Sequence, residues 1–586
     1  MLVSSSQRGV TTIGVLGVGL LLLSSQALAL PRYGPIEISG NVSAQQLFRH
    51  KDIDNWAFIQ QRNTFKLRFD YDMLDRGKLF NRFEVPFIQQ AKLLLFYRGV
   101  YDSVYDYTPG FKQKDIWGNV AALPDDEGNL VPVKLGSFNW GANTKFENRL
   151  REAYIDLKLR DLPLSFRLGR QQIVWGETDN FRMLDRVNAL DLTWHLQQES
   201  WDEQRIPYWM IKGLWDVGRV GPLSDAFVEF YWNPGDWYPA KKTFLPQPWS
   251  APVTNPIVQI SKDFKGIGDL WNGTKLFRQG DYSRTPGENS QVGLRFSSMT
   301  PQGVQFTLNY FWQRWAGGDD GTNAASIQGV LDATNQEIKA RGQLPIEAIA
   351  PHVHAVGLSF NYAEEEYTQT VYRAETIYEF GVPFVDASKQ FPDTGPNSNL
   401  YGILGQDVFG VSKRDMWKGM IAFDRPTWIR PLNRKTTFLI LGQFFWHYLI
   451  SNPQVACNDP DDSLPCPLSG QGKGFRGNFS SSGYASDGKR FIDNVRDWEI
   501  LVTLAATTFY SGGKIVPFWI YVLDPVNSFN MELIWMCDYF ITNNFILNLQ
   551  QRYFVNTTRE PVFETWGVGG TNRGRSETTL RLTYQF

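Results

Sequence analysis

The sequence predicts an all-β fold, a transmembrane antiparallel up-and-down β-barrel of about eighteen strands, with sixteen as the alternative. Three observations predict it. The chain closes on Glu577-Thr-Thr-Leu-Arg-Leu-Thr-Tyr-Gln-Phe586, in which Leu580, Leu582, Tyr584 and Phe586 are apolar and Arg581, Thr583 and Gln585 between them are polar. A period of two turns one face of a strand to lipid and the other to a polar lumen, and a terminal aromatic on such a strand is the ending typical of Gram-negative outer-membrane barrels. Similar segments recur throughout, and the links between them alternate between short and long.

In chain order the candidate strands begin with 36–48 and 60–73, the second carrying Phe65-Lys-Leu-Arg-Phe-Asp-Tyr71. They continue with 80–104, 148–159 (Ala153-Tyr-Ile-Asp-Leu-Lys-Leu159), 163–174, 208–216, 224–233, 290–298 and 303–314 (Val304-Gln-Phe-Thr-Leu-Asn-Tyr310). The last half supplies 352–362, 368–380, 412–424, 435–449, 496–509, 514–523, 529–540, 543–553 (Phe545-Ile-Leu-Asn-Leu-Gln-Gln-Arg-Tyr553) and 576–586. An even number lets an antiparallel barrel close with both termini in the periplasm. Short links are expected near 74–79, 160–163, 217–224, 299–302, 363–367, 425–434, 510–513 and 541–542. Long ones fall near 105–147, 174–207, 234–290, 315–351, 381–411, 450–495 and 554–575, and read as extracellular loops or inward-folded constrictions. Only 49–59 and 524–528 break the alternation. Residues 324–340 have the composition of a short loop helix. Aromatics near strand ends, including Tyr231-Trp232, Phe311-Trp312, Trp446 with Tyr448, Trp519 with Tyr521 and Tyr553-Phe554, are expected to form two interfacial girdles.

Composition agrees with a barrel. Residues 1–29 carry one charge, Arg8, an apolar run from Val10 to Leu23 and the small-residue site Ala27-Leu28-Ala29, the pattern of a cleaved Sec signal peptide. The remainder, 30–586, then reads as one barrel domain in the outer membrane. Mean hydropathy is only −0.31 although aromatics reach 15% of residues, which suits strands whose faces alternate. A net charge of −2 gives no reason to expect nucleic acid as a partner. Cys457 and Cys466 flank a loop rich in Asp, Asn and Pro and are expected to form a disulfide, leaving Cys537 on a strand.

The densest polar cluster runs from Leu168 to Asp191. Between Val174 and Pro207 acidic side chains outnumber basic ones seven to three, yet Phe181, Met183, Leu184, Trp194 and Trp201 lie among them. A loop both this charged and this apolar is expected to fold back into the lumen. Glu177, Asp179, Arg182, Asp185, Arg186, Asp191 and His195 are then candidates for a pore constriction, or for an ion-pair network that pins the loop. The lumen-facing strand charges Lys66, Arg68, Arg373 and Glu375 are their expected counterparts.

Arg167-Leu-Gly-Arg-Gln-Gln-Ile-Val-Trp-Gly-Glu177 and Asn188-Ala-Leu-Asp191, supported by Val371-Tyr-Arg-Ala-Glu375 and the stretch from Asp415 to Gln443, resemble domain-of-unknown-function family 1302. The family pattern has Asn-Pro-x-Asp where this chain has Asn188-Ala-Leu-Asp191. The resemblance implies a Gram-negative outer-membrane barrel. It also implies, as genetic neighbours of such proteins, a periplasmic lipoprotein-sorting-like partner and an inner-membrane exporter of the resistance-nodulation-division superfamily, hence movement of a hydrophobic or lipid-like molecule. Outer-membrane lipid and the barrel-assembly machinery, reading the Leu580, Leu582, Tyr584 and Phe586 signal, are the other expected partners.

Nothing in the sequence points to catalysis. No nucleophile elbow, metal motif or phosphate loop stands out, and His352-Val-His354 offers two ligands on one strand face without a third. No catalytic residue, metal or cofactor is therefore expected. The leading expectation is a loop-constricted outer-membrane channel or transporter for a hydrophobic or amphipathic solute. The rivals are a non-conducting docking or scaffold barrel for a periplasmic partner, and the sheath of an electron-transfer conduit, for which the chain has no haem-attachment motif of its own.

Overall fold

A computed structural model describes residues 34–50, 53–107, 122–124, 130–132, 145–179, 181–192, 200–237, 241–242, 278–279, 287–315, 330–332, 347–349, 351–390, 409–451, 475–476, 482–484, 490–492, 498–526, 529–555 and 576–586. The signal-peptide expectation for 1–29, the Cys457–Cys466 disulfide, His195 and Trp194 lie outside the described residues. Of the expected 324–340 loop helix, the described residues Val330–Asp332 are instead a short strand, its backbone paired antiparallel with Glu347–Ile349.

Eighteen strands form one ring: β1 (Ile36–His50), β2 (Trp56–Asp72), β3 (Ile88–Asp102), β4 (Phe146–Leu159), β5 (Leu164–Gln171), β6 (Tyr208–Val220), β7 (Leu223–Asn233), β8 (Gln291–Met299) and β9 (Val304–Arg314). The second half comprises β10 (His352–Glu364), β11 (Thr370–Gln390), β12 (Phe409–Thr427), β13 (Phe438–Leu449), β14 (Trp498–Thr507), β15 (Ile515–Asp524), β16 (Asn530–Phe540), β17 (Phe545–Val555) and β18 (Ser576–Gln585). Each pairs antiparallel with its neighbours in sequence, and β18 pairs with β1 from Asn41↔Gln585 to His50↔Ser576. This closes the barrel and settles the count at eighteen rather than sixteen. No helix among the described residues is long and apolar enough to cross a membrane; every crossing is made by a strand.

Strand parity sorts the side chains. On β12, Ile421 is 54% exposed on the outer face while its neighbours Met420 and Ala422 are buried toward the inside. Trp215 on β6, Leu294 on β8, Leu308 on β9, Val356 on β10 and Leu504 on β14 repeat the outward pattern. The exterior is thus apolar around the circumference, far beyond the patch size a soluble monomer tolerates. The same parity divides three of the expected girdle pairs. Trp232 points outward but Tyr231 inward, and Phe311 and Phe554 are likewise buried. Adjacent residues on a strand cannot share a face, so only one of each pair can meet lipid.

One end of the barrel carries the short links, such as 221–222 between β6 and β7 and 541–544 between β16 and β17. The β2–β3 link is the exception there. The dyad pattern predicts a strand from residue 80, but β3 starts at Ile88 and residues 74–84 fold into a three-stranded sheet of Leu74–Asp75, Lys78–Leu79 and Phe83–Glu84. Left-handed backbone at Arg76, Gly77, Phe80 and Asn81 turns the chain repeatedly, and Pro86 cannot donate to a ladder.

Candidate functional site

The described part of the link from β5 to β6, residues 172–179, 181–192 and 200–207, folds inside the barrel. Its buried apolar residues Ile173, Trp175, Phe181, Met183, Leu184, Val187 and Ile206 form one cluster with inward-facing residues of β6, β7 and β9 through β15. Trp175 stacks edge-on against Tyr231 at 5.3 Å and packs on Phe311 at 5.2 Å, while its indole N–H donates to Glu229. Phe181 meets Phe445 edge-on at 5.3 Å. Leu184 fills a socket that exists because β10 has glycine at 357: a Cβ there would lie 2.2 Å from a Leu184 methyl. Burying these side chains is the apolar half of the attachment, at about 1.5–3 kcal/mol for each large residue relative to exposure.

Polar contacts hold the loop to β10 through β13. The Glu375 carboxylate accepts the backbone N–H groups of Glu177 and, at 3.2 Å, Leu184. Arg373 donates to the Glu177 carbonyl, to Asp179 at 2.6 Å and to Asp424 at 2.7 Å. Asn361 donates to Glu177 at 3.2 Å and Gln443 to Asp179 at 3.1 Å. Arg186 pairs with the fully buried Glu379, which Lys418 also meets at 2.7 Å.

The loop's far leg is tied to the opposite wall. Trp201–Gln204 forms a single helical turn, and Glu203 on it pairs with Lys66 of β2 and, at 2.6 Å, with Arg98 of β3. Arg98 is fully buried and also grips Glu147 of β4 with two nitrogens, at 2.8 and 3.0 Å. Arg151 of β4 donates to the carbonyls of Asp202 at 3.0 Å and Arg205 at 2.7 Å. The described residues of the link therefore touch both sides of the ring, so the link crosses the lumen.

Internal contacts shape the loop itself. Asn188, fully buried, accepts the Ile173 N–H at 2.9 Å and donates to the carbonyls of Ile206 at 2.9 Å and Gln171 at 3.3 Å, clasping the loop's two ends together. Arg205 pairs with Asp185 at 2.9 Å, and Arg182 donates to the Asn188 carbonyl at 2.6 Å. Asp191 is 3.5 Å from Arg149 of β4.

Of the residues expected to act here, Glu177, Asp179 and Arg186 reach wall charges, whereas Arg182 and Asp185 serve the loop's own fold. Arg373 and Glu375 are among their wall partners, while Lys66 pairs instead with Glu203, which sequence reasoning did not single out. Arg68 is not such a partner: it pairs with Asp70 two residues along the same strand face, at 2.6 and 3.0 Å. Sequence reasoning missed Arg98, Glu147, Glu229 and Glu379. Arg98 had a legible signal, a lone inward charge within the apolar run Leu93-Leu-Leu-Phe-Tyr-Arg98, but parity alone does not name its partner.

A family model described as "Protein of unknown function (DUF1302)" matches residues 14–519. The chain belongs to that family. The stretches that carry the resemblance in this DUF1302 member, 167–177 and 188–191, are the segments that leave β5 and clasp the loop. No match was found among curated proteins. Solved structures similar to the chain include OccAB1 of Acinetobacter baumannii, at 9% identity over 96% of this chain and 99% of that one, with a TM-score of 0.41. Others are a BenF-like porin from Pseudomonas fluorescens Pf-5 (7%, 94% and 98%, 0.40) and the outer membrane protein OpdK from Pseudomonas aeruginosa (7%, 94% and 98%, 0.39). No residue role is carried over from them.

Proposed function

We propose that this DUF1302 protein is a channel of the Gram-negative outer membrane that passes a hydrophobic or amphipathic solute through a lumen narrowed by residues 172–207. The observation that carries the reading is the crossing loop, held at Glu375 and Arg373 on one wall and at Lys66 and Arg98 on the other. A closed barrel with an apolar exterior and a charged interior belongs in a bilayer, and charged side chains beside a constriction are how pores select. The loop exposes Val174 together with the carboxylates of Asp179 and Asp202, while the wall of β2–β5 presents Arg68, Lys92, Asp156 and Arg167, all partly exposed. The charged wall suits the polar part of an amphipathic molecule, and its apolar part is what the family resemblance implies.

Single-channel conductance in planar bilayers tests this, comparing the intact protein with a variant in which Thr178–Trp201 is replaced by a short Gly-Ser linker. Conductance is expected to rise severalfold in the variant. Equal conductance would remove the loop from the permeation path, and no conductance from either form would count against a channel.

A further inference from the structure

The β2–β3 excursion does not hang below the rim. Met73 of the flap forms one buried cluster with Ile88 and Ala91 of β3, and against that cluster pack Leu74, Leu79 and Val85 of the flap and Tyr71, Leu93, Ile155 and Leu157, the last four on the outward parity of β2, β3 and β4. The small sheet is thus folded up against the outside of the barrel wall. The Tyr71 and Phe80 rings stack at 6.2 Å, and the Arg160 N–H donates to the Phe87 carbonyl at 3.0 Å, fixing the flap to the β4–β5 turn.

The flap hides one apolar face and exposes another. Phe80, Phe83 and Phe87 are 52%, 56% and 60% exposed. Around them stand exposed Arg76, Lys78, Arg82 and Arg160, matched in number by the exposed acids Asp72, Asp75, Glu84 and Asp161, with Lys78 3.6 Å from Glu84. The Arg82 guanidinium lies 5.4 Å from the centre of the Phe83 ring. Three bare phenylalanines interleaved with cations are the composition of a surface that sits at the headgroup boundary of a bilayer, rings toward the acyl chains and cations toward phosphates. The flap is also continuous with the lipid-facing wall on which it lies, so its outer face lies beside the same leaflet.

We infer that residues 73–87 form a membrane-interface foot, in which Phe80, Phe83 and Phe87 enter the leaflet at the short-link end of the barrel and Arg76, Lys78 and Arg82 contact phospholipid phosphates. The inference rests on the membrane reading above. It is tested by placing p-benzoyl-phenylalanine at position 83 of the full chain, and separately at position 519 on the lipid-facing side of β15, in cell envelopes. Each sample is irradiated and the adducts identified by mass spectrometry. Phospholipid adducts at 83 within about threefold of the yield at 519 support the foot. A triple variant, Arg76→Gln with Lys78→Gln and Arg82→Gln, should lower the anionic share of those lipids at least twofold. An unchanged share overturns the phosphate contacts. A protein adduct at 83, whether a second copy or another chain, overturns the foot and makes the flap a protein-docking surface. Lipid adducts at 519 with none at 83 overturn the foot but leave the membrane reading standing. No lipid adducts at either position would sink the membrane reading itself.

Discussion

Asn188 shows how much a single side chain can govern here. It satisfies one buried N–H and two carbonyls at the loop's two ends, those of Gln171 and Ile173 at one and Ile206 at the other. Asn188→Ala leaves those groups without their partner, at about 1–3 kcal/mol for each that stays buried. The barrel ladder does not depend on this clasp, so the loss falls on the loop alone. Hydrogen exchange should report it as faster exchange of amides in 173–190, by about thirtyfold for a loss of about 2 kcal/mol, with β10–β13 unchanged. Equal acceleration in the strands would mean that loop and wall unfold as one unit.

At the scale of elements, the loop behaves as a strut with two independent feet. The Glu375 and Arg373 side is backed by an apolar cluster, while the Glu203 side rests on charge contacts and on the Asp202 and Arg205 carbonyls that accept from Arg151. The Glu203 leg should therefore release first. With Glu203→Ala, Lys66 loses its partner and its amine reactivity should rise about fivefold toward an acylating reagent, measured by mass spectrometry of the reconstituted protein. Unchanged labelling of Lys66 would show that something else holds it. The strands were legible in the sequence because parity survives even where hydropathy is weak, as in Phe65-Lys-Leu-Arg-Phe-Asp-Tyr71. The flap was not: Phe83-Glu-Val-Pro-Phe87 alternates as a strand would, and only Gly77 and Pro86 betray the turns. The loop's inward course was legible from its mixture of acids and large apolar residues. Its registry against the wall was not, since Arg68, which sequence reasoning treats as equivalent to Lys66, is instead satisfied by Asp70 within its own strand.

For the whole molecule, the decisive pairing is the seam between β18 and β1. It joins residues 528 positions apart at Arg49 and Glu577. Loop-closure entropy grows only with the logarithm of length, so bringing these ends together costs about 2 kcal/mol more than closing a loop one-tenth as long. A seam that far apart in sequence forms after the hairpins it completes, and its side chains decide whether the ring stays shut. Arg49 and Glu577 are nearly fully buried and 2.7 Å apart. Removing either partner takes an ion-pair contact away from a charge in a poorly solvated site, while replacing both by apolar residues removes the desolvation cost along with the attraction. Glu577→Leu alone should lower unfolding stability by about 3–5 kcal/mol. Adding Arg49→Met should recover most of that loss. Urea unfolding of the protein in lipid vesicles, followed by tryptophan fluorescence, measures both. If the double variant is no more stable than the single one, the seam is held by its backbone ladder and Glu577 is needed by other groups. If neither variant differs from the native chain, the pair contributes nothing to closure and the ladder from Asn41 to His50 suffices.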